Sequence, residues 1–283
     1  NAAGGVNGKP IELIKYDTGS DPKQASIATR KLVEDDKVVA IVGPYSSGEA
    51  GVAFNDAERL GVVMIPNAAS TPGLTKGKTF AWRMSEDEDV QFRRLLDTLK
   101  RKGVKAETAA IIYVSDEPLA NVTGTKLFPT LLKDAGIKYG PPIAVQYKSF
   151  DIAPQVAKII NENPDLVAVA GLPESASKIL RELNRNGFKG RMIGSQLFAD
   201  PNNVELFGNE AEGTLFVSGF WRHETPKASA FADKFVAENE KRGIHKLGPR
   251  HTDAQAYDTV YLLKQLMEAA KVTGDPAKVT AER

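Results

Sequence analysis

The chain has 283 residues, with 37 Lys and Arg against 36 Asp and Glu for a net charge of +1, so no global field draws it to nucleic acid or to an anionic membrane. Apolar residues make up 42% and charged residues 26%, the balance of a globular chain long enough for two domains, and no apolar run approaches the ~18 residues of a membrane span. The absence of cysteine excludes disulfides, thiolate metal sites and cysteine nucleophiles together.

Residues 11–16, IELIKY, read as a strand, and Asp21-Pro22 then supplies an N-cap and a first-turn proline for a helix running to Val33. The stretch 37–74, KVVAIVGPYSSGEAGVAFNDAERLGVVMIPNAASTPGL, carries the densest pattern in the chain. It predicts strands over 38–42 and 62–65, with a helix over 48–59 between them on the spacing of Val52, Ala53, Ala57 and Leu60. In an open parallel sheet the loops after both strands emerge at the carboxyl edge, where ligands bind. Those loops hold the hydroxyls of Ser46, Ser47, Ser70 and Thr71, backbone N–H groups and a helix N-terminus. Such groups suit the holding of a small anion, above all a carboxylate, that leaves unchanged. Turn and cap duty is the plainer reading of the same serines.

A short strand over 80–84, a helix over 86–102 and a buried strand over 109–114 follow, and the pattern pauses at Ser115-Asp116-Glu117-Pro118. A second run of alternating units then predicts helices over 122–135, 153–162, 175–186 and 226–241, strands over 143–147, 166–170, 191–194 and 215–218, and a long helix over 254–270. Two runs of β-α alternation predict an α/β fold of two Rossmann-like lobes, parallel sheets flanked by helices, hinge-linked with a ligand cleft between them. The lobes are expected over 1–115 plus 250–283 and over 116–249. No P-loop lysine, G-x-G-x-x-G or G-x-S-x-G occurs, and the two S-x-x-K spacings (Ser20 with Lys23, Ser175 with Lys178) fall on helical stretches. His223, His245 and His251 show no metal spacing. The expectation is therefore a protein that is not an enzyme, with no cofactor and no metal.

The segments AAGGVNGKPIEL, VGPYSSG, IPNAASTPGLT and AYDTVYLL, with the stretch 187–194, resemble the branched-chain amino-acid-binding type of periplasmic binding protein, the soluble receptor of an ABC importer. The resemblance spans essentially the whole chain. It implies export to the periplasm with a signal outside this sequence, a monomer, a small carboxylate ligand, a permease partner in the membrane, and no nucleic acid. It further implies a strand and helix ahead of Asn1 and a closing segment beyond Arg283. Carried over residue by residue, it places the ligand carboxylate on Ser47, with Ser46 beside it, and on Ala68, Ala69 and Ser70. Gln196, Phe198 and Trp221 become the contacts of the second lobe. The sequence departs from the amino-acid binders where they hold the ammonium: Leu172 and Pro173 stand near a tyrosine's place, and Gln196 stands where a glutamate is expected. Asp116, Glu117 and Glu174 are the possible substitutes. That departure favours an aliphatic or aromatic acid, or an amide, against apolar walls such as Phe198, Phe220 and Trp221, with Phe54 read as core. The rival reading is a ligand-sensing domain of the same fold.

Overall fold

Asp21 accepts hydrogen bonds from the N–H groups of Lys23 and Gln24 at 2.6 and 3.2 Å, and Pro22 fits the first turn, so α1 (Pro22–Glu34) begins where the cap signal lies. In this computed structural model, which describes residues 1, 4–148, 151–275 and 278–279, contacts divide the chain into two units, Asn1–Glu88 with Thr252–Arg283, and Asp89–His251. Ala2 and Ala3 of the opening motif lie outside the described residues.

In the first unit, β1 (Ala40–Val42) pairs in parallel with β2 (Val63–Ile65), joined by α2 (Ser47–Leu60). Gly61 ends α2 at φ 65, a left-handed conformation that costs a glycine little. The helix buries Ala50, Ala53, Phe54 and Ala57 against Val62 and Met64, so Phe54 is core. The register sets Val42 beside Ile65, and the Gly43 N–H reaches the Ile65 carbonyl at 2.9 Å. Both loops that follow therefore leave the sheet side by side.

Two expected strands of this unit are different in the structure. Residues 11–16 have no ladder partner among the described residues, and Leu13 is 71% exposed. Alternation alone does not make a strand, since its N–H and C=O groups need a neighbouring chain. Residues 80–84 supply only a bridge from Ala81 to Met64. The Glu58 carboxylate takes the N–H groups of Thr79, Phe80 and Ala81, and two residues on the Arg83 side chain bonds the Thr71 carbonyl. Burial works to raise the pKa of Glu58, but those backbone donors outweigh it and leave the carboxyl below its ordinary range.

In the second unit, α3 (Glu88–Arg101) precedes β3 (Thr108–Val114). The helical stretch 118–134 comprises α4 (Pro118–Val122), a π-helical turn (Thr123–Leu127) and α5 (Phe128–Asp134). The order continues with β4 (Lys138–Tyr139), β5 (Ile143–Val145), α6 (Ala153–Glu162), β6 (Leu166–Ala170), α7 (Pro173–Arg185) and β7 (Arg191–Gly194). Next come α8 (Val204–Phe207), β8 (Leu215–Phe216), α9 (Pro226–Glu240) and α10 (His251–Ala269), whose body belongs to the first unit. The sheet order is β4-β3-β6-β7-β8, all parallel, with β5 also on β3. β6 is buried along its whole length, as a parallel strand covered on both faces should be, and its run LVAVA is apolar throughout.

The first boundary therefore moves. The sequence placed it at 115, but β3 is hydrogen-bonded to β4, β5 and β6, so α3 and β3 belong to the second unit and the division falls after Glu88. No helix among the described residues is long and apolar enough to cross a membrane.

Candidate ligand-binding site

The loops after β1 and β2 meet. The Thr71 N–H donates to Ser47 Oγ at 3.3 Å, and the Ser70 carbonyl accepts the Glu88 N–H at 3.0 Å. Ser47 opens α2, where its own N–H and that of Gly48 have no carbonyl within the helix to bond. Its hydroxyl accepts from Thr71 and so keeps its proton to give to an anion. Ser47, Ala68 and Ser70 are all half-buried, which suits groups that meet a solute from water. The methyl of Ala69 is buried in the core, so only its peptide group is available.

Ser46 does other work. Its hydroxyl accepts the Glu49 N–H at 3.3 Å and donates to Glu49 Oε2 at 2.7 Å, while the Ser46 N–H bonds the same carboxylate at 3.2 Å. This is a reciprocal cap that holds the start of α2. The spacing Ser46-x-x-Glu49 is the sequence signal that would have separated it from Ser47. Glu49 is buried and also takes the Thr18 hydroxyl at 2.5 Å. Burial pushes its pKa upward, yet the hydroxyls of Thr18 and Ser46 and the Ser46 N–H prevail and lower it.

Around these loops, Arg83 donates to the Thr71 carbonyl at 2.9 Å and pairs with Asp87. Glu88 is buried, and that burial pushes its carboxyl up to about 7.

In the second unit the register aligns the strand ends, Val114 with Val145, Tyr113 with Ala170, Val169 with Gly194, and Gly194 with Phe216. The loops carrying Asp116, Leu172, Gln196 and Trp221 therefore share one edge. Glu117, only 6% exposed, accepts from the Leu172 N–H at 2.7 Å and from Ser175 Oγ at 2.8 Å, tying the end of β3 to the start of α7. The sequence offers no local signal for this strap, whose partners are 55 and 58 residues away. Gln196 is buried in a 3-10 turn capped by Ser195. Phe198 lies in the core, its ring 5.1 Å from that of Phe207 and against Gly194, where an added Cβ would come within 2.3 Å of it. Trp221 stands out at 57% exposure, edge-on to His223 at 5.6 Å, and Arg222 pairs with Asp233 at 2.6 Å. Among the described residues no cluster of three or more His, Asp or Glu is arranged to hold a metal.

The chain is similar in fold to solved structures of substrate-binding proteins. They include the branched-chain amino acid transporter substrate-binding protein LivJ of Streptococcus pneumoniae in complex with isoleucine, at TM-score 0.78 and 24% identity over 99% of this chain and 78% of that one. They also include an ABC transporter solute-binding protein of Rhodopseudomonas palustris in complex with 3,4-dihydroxybenzoic acid, at TM-score 0.76 and 21% identity over 98% of this chain and 75% of that one. The Leu/Ile/Val-binding protein of Escherichia coli is 25% identical over 280 residues, covering 99% of this chain and 73% of the relative. An amino acid binding protein of Pseudomonas aeruginosa is 27% identical over 246 residues, 84% of this chain, and the chain spans 63% of that relative's length. The family model for periplasmic binding proteins matches residues 1–282, and the chain belongs to that family.

Proposed function

We propose that this chain is the solute-binding receptor of an ABC importer, a monomer exported to the periplasm, which captures a small carboxylate and delivers it unchanged to its permease. The observation that carries this reading is the junction of the two strand-end loops, where the Thr71 N–H bonds Ser47 Oγ at the start of α2. Ser47, Ser70 and the peptide groups of Ala68 and Ala69 hold the carboxylate, and Gln196 and Trp221 of the second unit contact the rest of the molecule. Charge-assisted hydrogen bonds contribute roughly 1.5 to 3 kcal/mol each, so three of them reach the scale of the ~8 kcal/mol of micromolar binding. Phe198 leaves the contact set because its ring fills the core, and Ser46 leaves it because its hydroxyl holds the cap.

The test is calorimetry on the tightest ligand from a thermal-shift screen of isoleucine, 4-methylpentanoate and 3,4-dihydroxybenzoate. Replacing Ser47 and Ser70 together with alanine should weaken binding at least tenfold, about 1.4 kcal/mol, at nearly unchanged stability. Unchanged affinity would refute the site.

A further inference from the structure

Resting on the carboxylate reading above, we propose that the solute is a monocarboxylate with an apolar body and no ammonium group, selected because the acids at the strand-end edge of the second unit are already bonded within the fold or stand in solvent. Drawing an ammonium out of water costs several kcal/mol, which a carboxylate placed to receive it best offsets. After β3, Glu117 has both oxygens bonded, one to the Leu172 N–H and one to Ser175 Oγ, and Asp116 accepts the Tyr147 N–H at 2.8 Å. The joint around Glu117 is close-packed: a Cβ on Gly171 would stand 2.9 Å from Ser175 Oγ and 3.1 Å from Val114 Cγ2.

The other strand ends repeat the pattern. Asp151 caps the Ala153 N–H at 2.9 Å, and Asp200 accepts from the backbone and side chain of Asn202 at 2.9 and 2.7 Å. Glu174 and Glu224 are exposed, so water already balances their charge. The buried polar residues just after β7, Ser195 and Gln196, are both neutral. In their place the same edge shows water the side chains of Tyr147, Leu172 and Trp221, exposed at 43, 41 and 57%. Large apolar groups held out at strand ends gain from covering a hydrocarbon or ring.

On the first unit, Glu49 holds Thr18 and Ser46, and Asp87 holds Arg83. Glu88, whose backbone N–H bonds the Ser70 carbonyl, is buried in surroundings that favour its neutral form.

Matched ligand pairs isolate the ammonium. The full chain is titrated calorimetrically with L-leucine against 4-methylpentanoate and with L-phenylalanine against 3-phenylpropanoate. The acid without the amino group should bind at least tenfold tighter in one pair or both, with neither amino acid the tighter member of its pair. A smaller preference, or a reversed one, overturns the inference. If that binding still weakens when Ser47 and Ser70 are replaced, the carboxylate reading survives. Its loss in Glu88→Gln or Glu174→Gln would then identify the acid that receives the ammonium. No binding in either pair overturns the inference and the carboxylate reading together.

Discussion

The loops after β1 and β2 and those after β3 and β6 occupy the same place in two parallel sheets, yet their polar groups are used differently. In the first unit, Ser47 accepts from Thr71 and keeps its own proton, beside helix N–H groups that the helix does not bond. In the second, Glu117, Leu172 and Ser175 bond one another and close the edge. Position at the carboxyl end of a parallel strand thus creates the opportunity for a ligand, and the hydrogen-bonding capacity left over after the fold is satisfied decides what kind of ligand it is.

The largest effect should come from removing the strap. Glu117→Ala strands the Leu172 N–H in a nearly closed joint and leaves the Ser175 hydroxyl only the Leu172 carbonyl, a loss on the order of 4 kcal/mol for two hydrogen bonds to a buried carboxylate. Hydrogen exchange should show amide protection falling in β3 and β6 while β1 and β2 keep theirs. An equal fall in both sheets would break the contrast between the two units.

How far the sequence revealed these sites follows the range of the interactions. β6 was readable residue for residue, because a short apolar run between turn residues needs no partner to be recognised. The cap at Ser46 was written locally as well, in Glu49 three residues on, but a resemblance that put both serines near a ligand hid it. Residues 11–16 alternate like a strand, and only the surrounding chain decides whether anything pairs with them. The bonds of Glu117 cross more than 50 residues and compete with a loop's other options, so no local pattern announces them. Ser47 and Ser70 were legible as a pair of hydroxyl loops, while the bond joining those loops through Thr71 depends on the β1–β2 register.

A second test sharpens the contrast through pH. Glu88 has its folded pKa raised to about 7 by burial, well above the roughly 4.3 of an unfolded glutamate. Below the unfolded value both states are protonated and the group contributes nothing against folding. As pH rises from there through 7, the unfolded chain releases its proton first, so stability falls across that window and then levels off. Glu88→Gln should abolish the slope, matching the parent at pH 4 and exceeding it by on the order of 3 kcal/mol at pH 8 in thermal unfolding. A parent whose stability does not decline between pH 5 and 7 would show that this carboxyl finds solvent or a cation after all.

The smallest effect separates two neighbouring hydroxyls. Ser46→Ala removes the cap of α2 and should cost about 1 kcal/mol of stability with little change in carboxylate affinity, whereas Ser47→Ala should do the reverse. The pH dependence of Ser46→Ala carries its own sign. Burial opposes ionisation of Glu49, but its hydrogen-bond donors hold the pKa down, so its stabilisation is present above the unfolded value and is lost as pH falls through the folded one. Removing one donor raises that folded pKa. The variant's deficit should therefore stand in full at pH 7 and shrink toward pH 3, as protonation takes from the parent the bond that the variant already lacks. Affinity falling equally in both variants would mean that the ligand draws on the cap, and that the loops of the first unit are no freer than those of the second.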